Sequence, residues 1–232
     1  MSAAQSQLAL DVALRDFPDL TTMVAGPNGQ AITAACHLLD QPGQMLIWGA
    51  PATGKSTLLQ ALARYATEKQ QAAAYLSLSR GPVPSAALLA GLETLQLVCL
   101  DDISDVAGER EEEIRLVELI NRVRAGGGAL LMSSRRPPAR FEPVTPDLQS
   151  RLGWGLVYEL APLDDDDKAK LLRRRAAARG LTLSEEAARY LMRRRSRDLH
   201  GLMTALERLD SASLAAKRRL TIPFIREVLG GD

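Results

Sequence analysis

One segment of the chain combines glycines, a lysine and a hydroxyl side chain at a spacing suited to phosphate chemistry. The segment Gly49-Ala50-Pro51-Ala52-Thr53-Gly54-Lys55-Ser56 fits the pattern G-x-x-x-x-G-K-[ST]. In such a loop the glycines let backbone N–H groups wrap around phosphates, and the helix that begins there adds positive potential. We expect Lys55 to reach the β- and γ-phosphates of a nucleotide and the Ser56 hydroxyl to bind Mg²⁺. The predicted nucleotide contacts in this loop are Ala52, Thr53, Gly54, Lys55, Ser56 and Thr57.

A second candidate is the carboxylate pair Asp101-Asp102, which ends the apolar run Leu97–Leu100. In the sheet of a phosphate-loop protein this strand places its first Asp beside Mg²⁺, so the predicted metal ligands are Ser56 and Asp101. Asp102 lies where many such ATPases carry a Glu that polarises the attacking water. Because Asp is one methylene shorter, we expect slow hydrolysis by this chain alone. The alternative is that the pair caps a helix or forms a turn.

Polar residues also stand beside two later apolar runs. Ser133 and Ser134 follow one run, and either they hydrogen-bond a γ-phosphate or its water, or they form a plain turn. Arg151 lies just before the last run, and we expect its side chain to be exposed. Taken alone, Arg151 is best interpreted as a surface arginine paired with a carboxylate.

These candidates are positioned by an alternation of short apolar runs and helical stretches. Such runs are typical of strands buried on both faces of a parallel sheet, and their alternation with helices predicts an α/β fold with a five-stranded parallel sheet. The helical stretches lie near 55–70, 84–92 and 110–125. The runs are Met45–Trp48, Ala73–Leu76, Leu97–Leu100, Ala129–Met132 and Leu156–Tyr158.

After Pro162 the strand pattern ends and only helical patterns follow. Asp164–Asp167 suit the positive amino end of a helix that runs towards Arg179 and stops at Gly180. Ser184 begins another helix, and further helical stretches lie around 198–210 and 223–229. This succession predicts a small all-helical second domain.

The composition is that of an ordinary globular protein, with 232 residues, 46% hydrophobic residues and a formal net charge of +1. Basic runs at 173–175, 193–195 and 217–219 are either solvated helix faces or weak contacts to nucleic acid or an acidic partner. The two cysteines exclude a disulfide framework and a zinc site. No signal peptide and no membrane-length apolar stretch is present, so we expect a cytoplasmic protein.

With these motifs in order, the chain resembles the DnaA/Hda family of AAA+ ATPases. Ser150-Arg151-Leu152-Gly153-Trp154-Gly155-Leu156 resembles the family's arginine-finger box, and Ser196–Leu202 resembles its second sensor, whose arginine, here Arg197, approaches bound nucleotide. The resemblance covers about residues 15–230. It implies an AAA+ P-loop NTPase core at 15–162 and a helical lid domain at 163–232. Residues 1–14 are small and polar and have no core-forming pattern, which predicts a flexible tail.

Within this family the Hda branch fits better than DnaA. DnaA continues into a helix-turn-helix DNA-binding domain, whereas this sequence ends at Asp232. Ala161–Lys168 and Leu220–Leu229 resemble the Hda linker into the lid and the Hda C-terminus. Gln7–Val12 resembles the Hda motif that binds the DNA polymerase sliding clamp, although Asp11 replaces a usual Pro. The implied clamp contacts are Gln7, Leu8 and Leu10.

The resemblance implies a negative regulator of replication initiation. Hda proteins sit on the DNA-loaded clamp and promote hydrolysis of DnaA-bound ATP, so DnaA and the clamp are the implied partners. DNA is touched only indirectly or weakly, and self-association is left open. Arg151 would be a finger acting on DnaA, while the chain's own loop would hold ADP or ATP with Mg²⁺. Arg135 departs from the family, since relatives often have Asp there.

Two other functions compete with this one. The chain could be a self-sufficient P-loop ATPase of the helicase-loader kind, or a scaffold that binds ADP without taking part in hydrolysis. Loaders carry a folded N-terminal helicase-binding domain, for which the predicted tail is too short. Mutating Arg151 and assaying turnover on a partner separates the regulator from the scaffold.

Overall fold

The computed structural model describes residues 18–79, 91–194, 199–216 and 219–230. Several predictions therefore lie outside the described residues. They are the tail at 1–14 with Gln7, Leu8 and Leu10, most of the helix near 84–92, and Arg197.

The centre of the fold is a five-stranded parallel sheet, as predicted. The strand order is β2-β3-β4-β1-β5, so β4 lies between β1 and β3. Because the strands are parallel, the loops that leave the carboxyl ends of β1, β3 and β4 meet at one edge of the sheet. The strands are β1 Gln44–Trp48, β2 Ala73–Ser77, β3 Leu97–Asp101, β4 Ala129–Ser134 and β5 Leu156–Glu159.

Helices accompany the sheet, and their apolar faces fill its core. The helix after the phosphate-loop motif buries Leu58, Leu59 and Leu62, which recur at helical spacing. The helix Gly29–His37 was not predicted. These helices are α1 Gly29–His37, α2 Lys55–Glu68, α3 Arg110–Ala125 and α4 Pro146–Leu152. Short 3₁₀ turns occupy Leu20–Thr22, Gly26–Asn28, Leu92–Thr94, Ile103–Asp105 and Pro138–Arg140.

The last strand departs from the prediction that every strand is buried on both faces. All five residues of β3 are buried, but Leu156 and Val157 of β5 are 51% and 41% exposed. The physical reason is position: among the described residues β5 pairs only with β1 and therefore forms an edge of the sheet. An apolar run in the sequence does not distinguish an edge strand from a central one.

Residue contacts divide the chain into two compact units, one of 1–20 with 28–161 and the other of 21–27 with 162–232. The proposed lid domain overlaps the second unit, which is helical. Asp164 caps its first helix by accepting a hydrogen bond from the Asp167 N–H at 2.8 Å. Leu172, Leu191 and Phe224 pack in its core. The helices are α5 Asp165–Ala178, α6 Glu185–Arg194, α7 Leu199–Ala216 and α8 Ile222–Leu229.

In the part of the chain that the structure describes, no helix is both long enough and apolar enough to cross a membrane.

Candidate functional site

The loop between β1 and α2 has an unusual backbone that suits phosphate binding. Gly49, Ala52 and Gly54 have φ angles of 155°, 62° and 92°. A Cβ on Gly49 would lie 2.5 Å from the Leu160 carbonyl oxygen, so only glycine fits there. The first N–H groups of a helix have no partner within the helix, which leaves those at the start of α2 available to an anion. The loop therefore has the shape that the motif predicts.

Lys55 is the buried cation of this loop, only 7% exposed. Its Nζ donates to the carbonyl oxygens of Gly49 and Ala50, each at 2.8 Å. Burial lowers the pKa of Lys55, although the nearby carboxylates of Asp102 and Asp101 act in the opposite direction. The positive charge of the ammonium is thus only partly compensated by its surroundings, and a bound phosphate would compensate it further.

Hydroxyl groups flank Lys55 on both sides. Thr53 is buried, and its hydroxyl donates to the Ala50 carbonyl at 3.0 Å. Ser56 is exposed in the first turn of α2, and Thr57 beside it is partly buried. The Ser56 hydroxyl is therefore accessible to a metal ion, as its predicted role requires.

Asp101 is held rigidly at the carboxyl end of β3, where it is only 4% exposed. Tyr75 donates its hydroxyl to Asp101 Oδ2 at 2.7 Å, and Ser133 donates to Oδ1. Burial, followed by the Asp101 contacts, raises the pKa of Tyr75 and keeps it protonated as a donor. Tyr75 was not predicted; it lies on β2, which pairs with β3.

These residues fit an Mg²⁺ ion that is bound together with a nucleotide. Within the described ranges no group of three or more His, Cys, Asp or Glu side chains forms an all-protein metal site. Mg²⁺ needs no such group, since phosphates and water supply most of its ligands. Each carboxylate oxygen accepts more than one contact, so Asp101 keeps acceptor capacity beside its two hydrogen bonds.

Ser133 and Ser134 do not form the plain turn that was one alternative. Both lie within β4 and are fully buried. Ser133 accepts from the Asp102 N–H at 2.9 Å while it donates to Asp101, and Ser134 donates to the Arg136 carbonyl at 2.6 Å. Ser133 therefore orients the carboxylate pair.

Asp102 adopts a left-handed backbone, with φ 61°, and forms an ion pair. Its Oδ2 accepts from Arg135 Nη2 at 2.9 Å, and the same nitrogen lies 3.3 Å from Asp105 Oδ2. Asp102 precedes the turn Ile103–Asp105, yet its side chain makes no capping hydrogen bond. Its Oδ1 is buried and has no partner among the described residues. Arg135 is thus paired with the Asp102 carboxylate, the group that the sequence predicts to polarise water.

Arg151 lies in α4 and has an amide and an aromatic ring as its neighbours. Its Nε donates to Asn121 Oδ1 at 3.0 Å, and its guanidinium carbon lies 4.0 Å from the centre of the Trp154 ring. No carboxylate of the described residues pairs with it, so the interpretation as an ion-paired surface arginine is wrong. The side chain is also partly buried rather than exposed, because α3 and Trp154 flank it.

The finger segment, residues 146–155, is fastened to the amino end of β1. Gln44 Nε2 donates to the Arg151 carbonyl oxygen at 2.5 Å. A Cβ on Gly155 would lie 1.8 Å from the Gln44 carbonyl oxygen, which shows how closely the two backbones approach. Arg124 lies 4.4 Å from the same Trp154 ring. A cavity of about 280 Å³ adjoins this ring; it is lined by Pro42, Gly43, Gln44, Arg124, Gly127, Gly128, Leu130 and Trp154.

The phosphate loop and the finger segment are well separated. The loop follows Trp48, the last residue of β1. The Arg151 carbonyl, in contrast, accepts a hydrogen bond from the side chain of Gln44, the first residue of β1. At about 3.3 Å per strand residue, the two ends of β1 are roughly 13 Å apart. The Arg151 backbone is therefore anchored at the end of β1 opposite the loop.

Glu113 on α3 is a functional-site neighbour that the sequence did not reveal. Its carboxylate is fully buried and accepts N–H bonds from Gly108 at 2.8 Å, Val144 at 3.0 Å and Thr145 at 2.7 Å. The Thr145 hydroxyl donates as well, at 2.6 Å. Burial raises the pKa of Glu113, but these four bonds outweigh it and hold the pKa below its usual value. Glu113 thus fixes the chain just before α4.

The lid region of the chain matches a known family model, and most of the chain is similar to another protein. A family model described as the lid domain of Hda matches residues 165–229. An uncharacterized protein of Haemophilus influenzae is 44% identical over 184 residues, which is 79% of this chain and 80% of that protein.

Solved structures share the fold at low sequence identity. Domain III of the Thermotoga maritima replication initiation protein DnaA is 20% identical, with a TM-score of 0.76, over 91% of this chain and 95% of that chain. AMPPCP-bound DnaA from Aquifex aeolicus is 22% identical, with a TM-score of 0.62, over 82% and 64%. The Thermotoga maritima RuvB branch migration motor is 18% identical, with a TM-score of 0.60, over 87% and 65%. The fold is therefore that of an AAA+ core followed by a helical lid region.

Proposed function

The chain belongs to the DnaA/Hda family of AAA+ proteins, and from that premise we propose that it is a negative regulator of chromosomal replication initiation. Together with the DNA-loaded sliding clamp, it promotes hydrolysis of the ATP bound to DnaA. It works as an adaptor and donates one catalytic group, Arg151, to the partner's site. The observation that carries the proposal is the setting of Arg151.

Two features of Arg151 support action on another protein. Its backbone is anchored roughly 13 Å along β1 from the chain's own phosphate loop. The only hydrogen bond of its side chain to the described residues uses Nε, so the two terminal nitrogens are left to grip phosphate oxygens. A guanidinium supplied in this way stabilises the charge of the transition state, by about 10³- to 10⁵-fold in rate.

The chain's own loop is proposed to hold ADP or ATP with Mg²⁺. Lys55 and the backbone from Ala52 to Thr57 bind the phosphates, and Ser56 and Asp101 hold the metal. By the family resemblance, Arg197 is a further nucleotide contact. The nucleotide has a structural and regulatory role there, with its negative charge offsetting the buried Lys55. Because Arg135 engages Asp102, intrinsic hydrolysis is slow.

The tail at 1–14 is proposed to bind the sliding clamp as an extended peptide. Gln7 supplies hydrogen bonds, and Leu8 and Leu10 are the apolar anchors. Through the clamp the protein reaches DNA without a strong contact of its own. Both partners act on the chromosome, so the proposed location is the cytoplasm. Deleting residues 1–12 should abolish clamp retention in a pull-down.

The deciding experiment is single-turnover hydrolysis of ATP pre-bound to DnaA, with loaded clamp present. Arg151→Ala should lower the stimulated rate by about 10³-fold or more, because the transition state loses its guanidinium. Arg122→Ala removes a nearby exposed arginine from α3 and should leave the rate unchanged. Wild-type stimulation by the Arg151→Ala protein would show that the finger assignment is wrong.

The same assay distinguishes the competing functions. A scaffold would stimulate nothing, and a self-sufficient ATPase would hydrolyse ATP quickly without DnaA and would stop when Lys55 is replaced by Ala. The proposed regulator needs DnaA for turnover, and it no longer stimulates hydrolysis when Arg151 is replaced by Ala.

A further inference from the structure

Trp154 has an unusual environment for a large aromatic side chain. It is 45% exposed, yet two guanidinium groups lie against its ring, those of Arg151 at 4.0 Å and Arg124 at 4.4 Å. Neither arginine forms an ion pair with a described residue. The ring therefore contacts two cations that have no ion-pair partner among the described residues.

We propose that Trp154 is a positioning residue for Arg151, an inference that rests on the proposed function of Arg151. The ring fixes the plane of the guanidinium, and Asn121 fixes its Nε. Together they hold the two terminal nitrogens in one direction before a partner arrives.

The physical benefit is lower entropy loss at the moment of catalysis. A free arginine side chain has many rotamers, and most of this freedom must be given up when it grips a phosphate. The cation–π contact with Trp154, together with one hydrogen bond, removes part of that freedom in advance. Since a misplacement of about 1 Å can cost about 10²-fold in rate, such orientation matters.

An aromatic partner also preserves the charge of the finger. A carboxylate would orient Arg151 equally well, but it would neutralise the guanidinium and compete with the phosphate. The indole attracts the cation through its quadrupole and leaves its full positive charge for the partner. The absence of a described carboxylate beside Arg151 and Arg124 fits this requirement.

The ring itself is set on a fixed base. The backbone N–H of Trp154 donates to the Arg151 carbonyl at 3.2 Å, and the same carbonyl accepts a hydrogen bond from the Gln44 side chain. Gly155 follows at once, pressed against the Gln44 backbone. The turn that carries both Arg151 and Trp154 is thus attached to the sheet, so the ring can act as a rigid support.

The test measures stimulated hydrolysis of DnaA-bound ATP against the concentration of this protein. Trp154→Leu should lower the maximal rate by about 10- to 100-fold and leave the half-saturating concentration within about twofold. Trp154→Phe keeps a ring and should lose about threefold or less. Asn121→Ala should lower the maximal rate in the same manner as Trp154→Leu. If Trp154→Leu does not fold, the Trp154→Phe and Asn121→Ala proteins carry the test.

Arg124→Gln is the matched control, because it removes the other cation from the ring and leaves Arg151 in place. It should change the maximal rate by less than about threefold. An equal loss in Arg124→Gln and Trp154→Leu would show that the ring acts through surface charge, which overturns the positioning role. A raised half-saturating concentration with an unchanged maximal rate would assign Trp154 to partner contact instead, with the same consequence.

Two comparisons separate this inference from the proposed function. Adding Trp154→Leu to Arg151→Ala should cost nothing further, because the group that the ring positions is already gone. If Arg151→Ala alone stimulates normally, the proposed function fails. If Arg151→Ala loses stimulation and both Trp154→Leu and Asn121→Ala keep the wild-type maximal rate, only the positioning role fails.

Discussion

The phosphate loop and the finger segment each centre on one cation, and the two cations are held in opposite ways. Lys55 is buried, surrounded by backbone carbonyls, and its pKa is lowered by desolvation. Arg151 is partly buried and held by an amide and an indole, and its terminal nitrogens form no hydrogen bond with the described residues. Lys55 thus donates to carbonyls of its own loop, whereas the terminal nitrogens of Arg151 form no hydrogen bond with the described residues.

The comparison suggests how to distinguish a charge that acts locally from one that acts on a partner. Lys55 carries an electrostatic cost that a phosphate in its own loop would relieve. Arg151 is only partly buried, and the neutral groups that support it leave its charge in place. Glu113 is a third case, because its burial is fully compensated by hydrogen bonds and its role is structural.

The largest expected effect tests the local role of Lys55. Lys55→Ala should weaken ADP binding by about 100-fold, since the loop loses the cation that pairs with the phosphates. Arg151→Ala should bind ADP as tightly as wild type. Isothermal calorimetry measures both proteins, and equal affinities for wild type and Lys55→Ala would contradict the contrast between the two cations.

The next effect tests how firmly the finger segment is fastened to the sheet. Gly155→Ala places a methyl group against the Gln44 carbonyl and should lower the free energy of unfolding by about 2.5 kcal/mol. Gly153→Ala is the control, because its Cβ would meet only ordinary contacts, at 3.8 Å or more. Urea denaturation compares them. If Gly155→Ala is as stable as Gly153→Ala, the segment is not rigidly attached.

A somewhat smaller effect concerns the anchor before α4. Glu113→Gln should lower the free energy of unfolding by about 2 kcal/mol at neutral pH, because charge-assisted bonds to the carboxylate are lost. The folded pKa of Glu113 lies below the unfolded value of about 4.3, so its contribution is complete above that pH. It disappears as pH falls through the folded pKa.

The measurement is urea denaturation of wild type and Glu113→Gln at several pH values from neutral to acid. The stability difference between them should shrink as the solution becomes more acid. Glu111→Gln, which alters an 87% exposed side chain on the same helix, should stay within about 0.5 kcal/mol of wild type. A difference that does not change with pH would mean that Glu113 is not ionised in the fold.

The smallest effect tests whether Lys55 carries an electrostatic cost. Lys55→Met should raise the stability of the nucleotide-free protein by about 1 kcal/mol, because a desolvated charge is removed. The folded pKa of Lys55 is lowered, so this cost is complete below the folded pKa and disappears as pH rises towards the unfolded value of about 10.4. Thermal unfolding should show the gain at neutral pH, whereas Arg151→Met should give no gain, because it removes a hydrogen bond and a ring contact. A Lys55→Met protein that is less stable than wild type would contradict the electrostatic cost assigned to buried Lys55.

The sequence predicted the parts of the fold that depend on local pattern. The parallel sheet, the helix from Lys55 and the helix Arg110–Ala125 follow from apolar runs and helical periodicity. The exposure of Leu156 could not be predicted, because the order of strands is set by packing across the whole sheet. Helix α1 was missed although Ala31 and Ala35 carry a helical spacing that is visible in the sequence.

The candidate site was predictable where a motif carries the chemistry, as at Lys55 and Asp101. The stacking of Arg151 on Trp154 has a local signal, since the two residues are three apart. The contact with Asn121 has none, because it joins residues 30 positions apart. Glu113 was hidden within a run of acidic residues that is typical of an exposed helix face.

The sheet edge at β5 affects how copies of this protein behave at high concentration. Leu156 and Val157 are exposed along a strand whose outer backbone groups meet no other described strand. A net charge of +1 gives molecules little mutual repulsion near neutral pH. The colloidal stability of the free protein therefore depends on whatever covers that edge. Without a cover, we expect attraction between molecules to grow with concentration and to respond little to added salt.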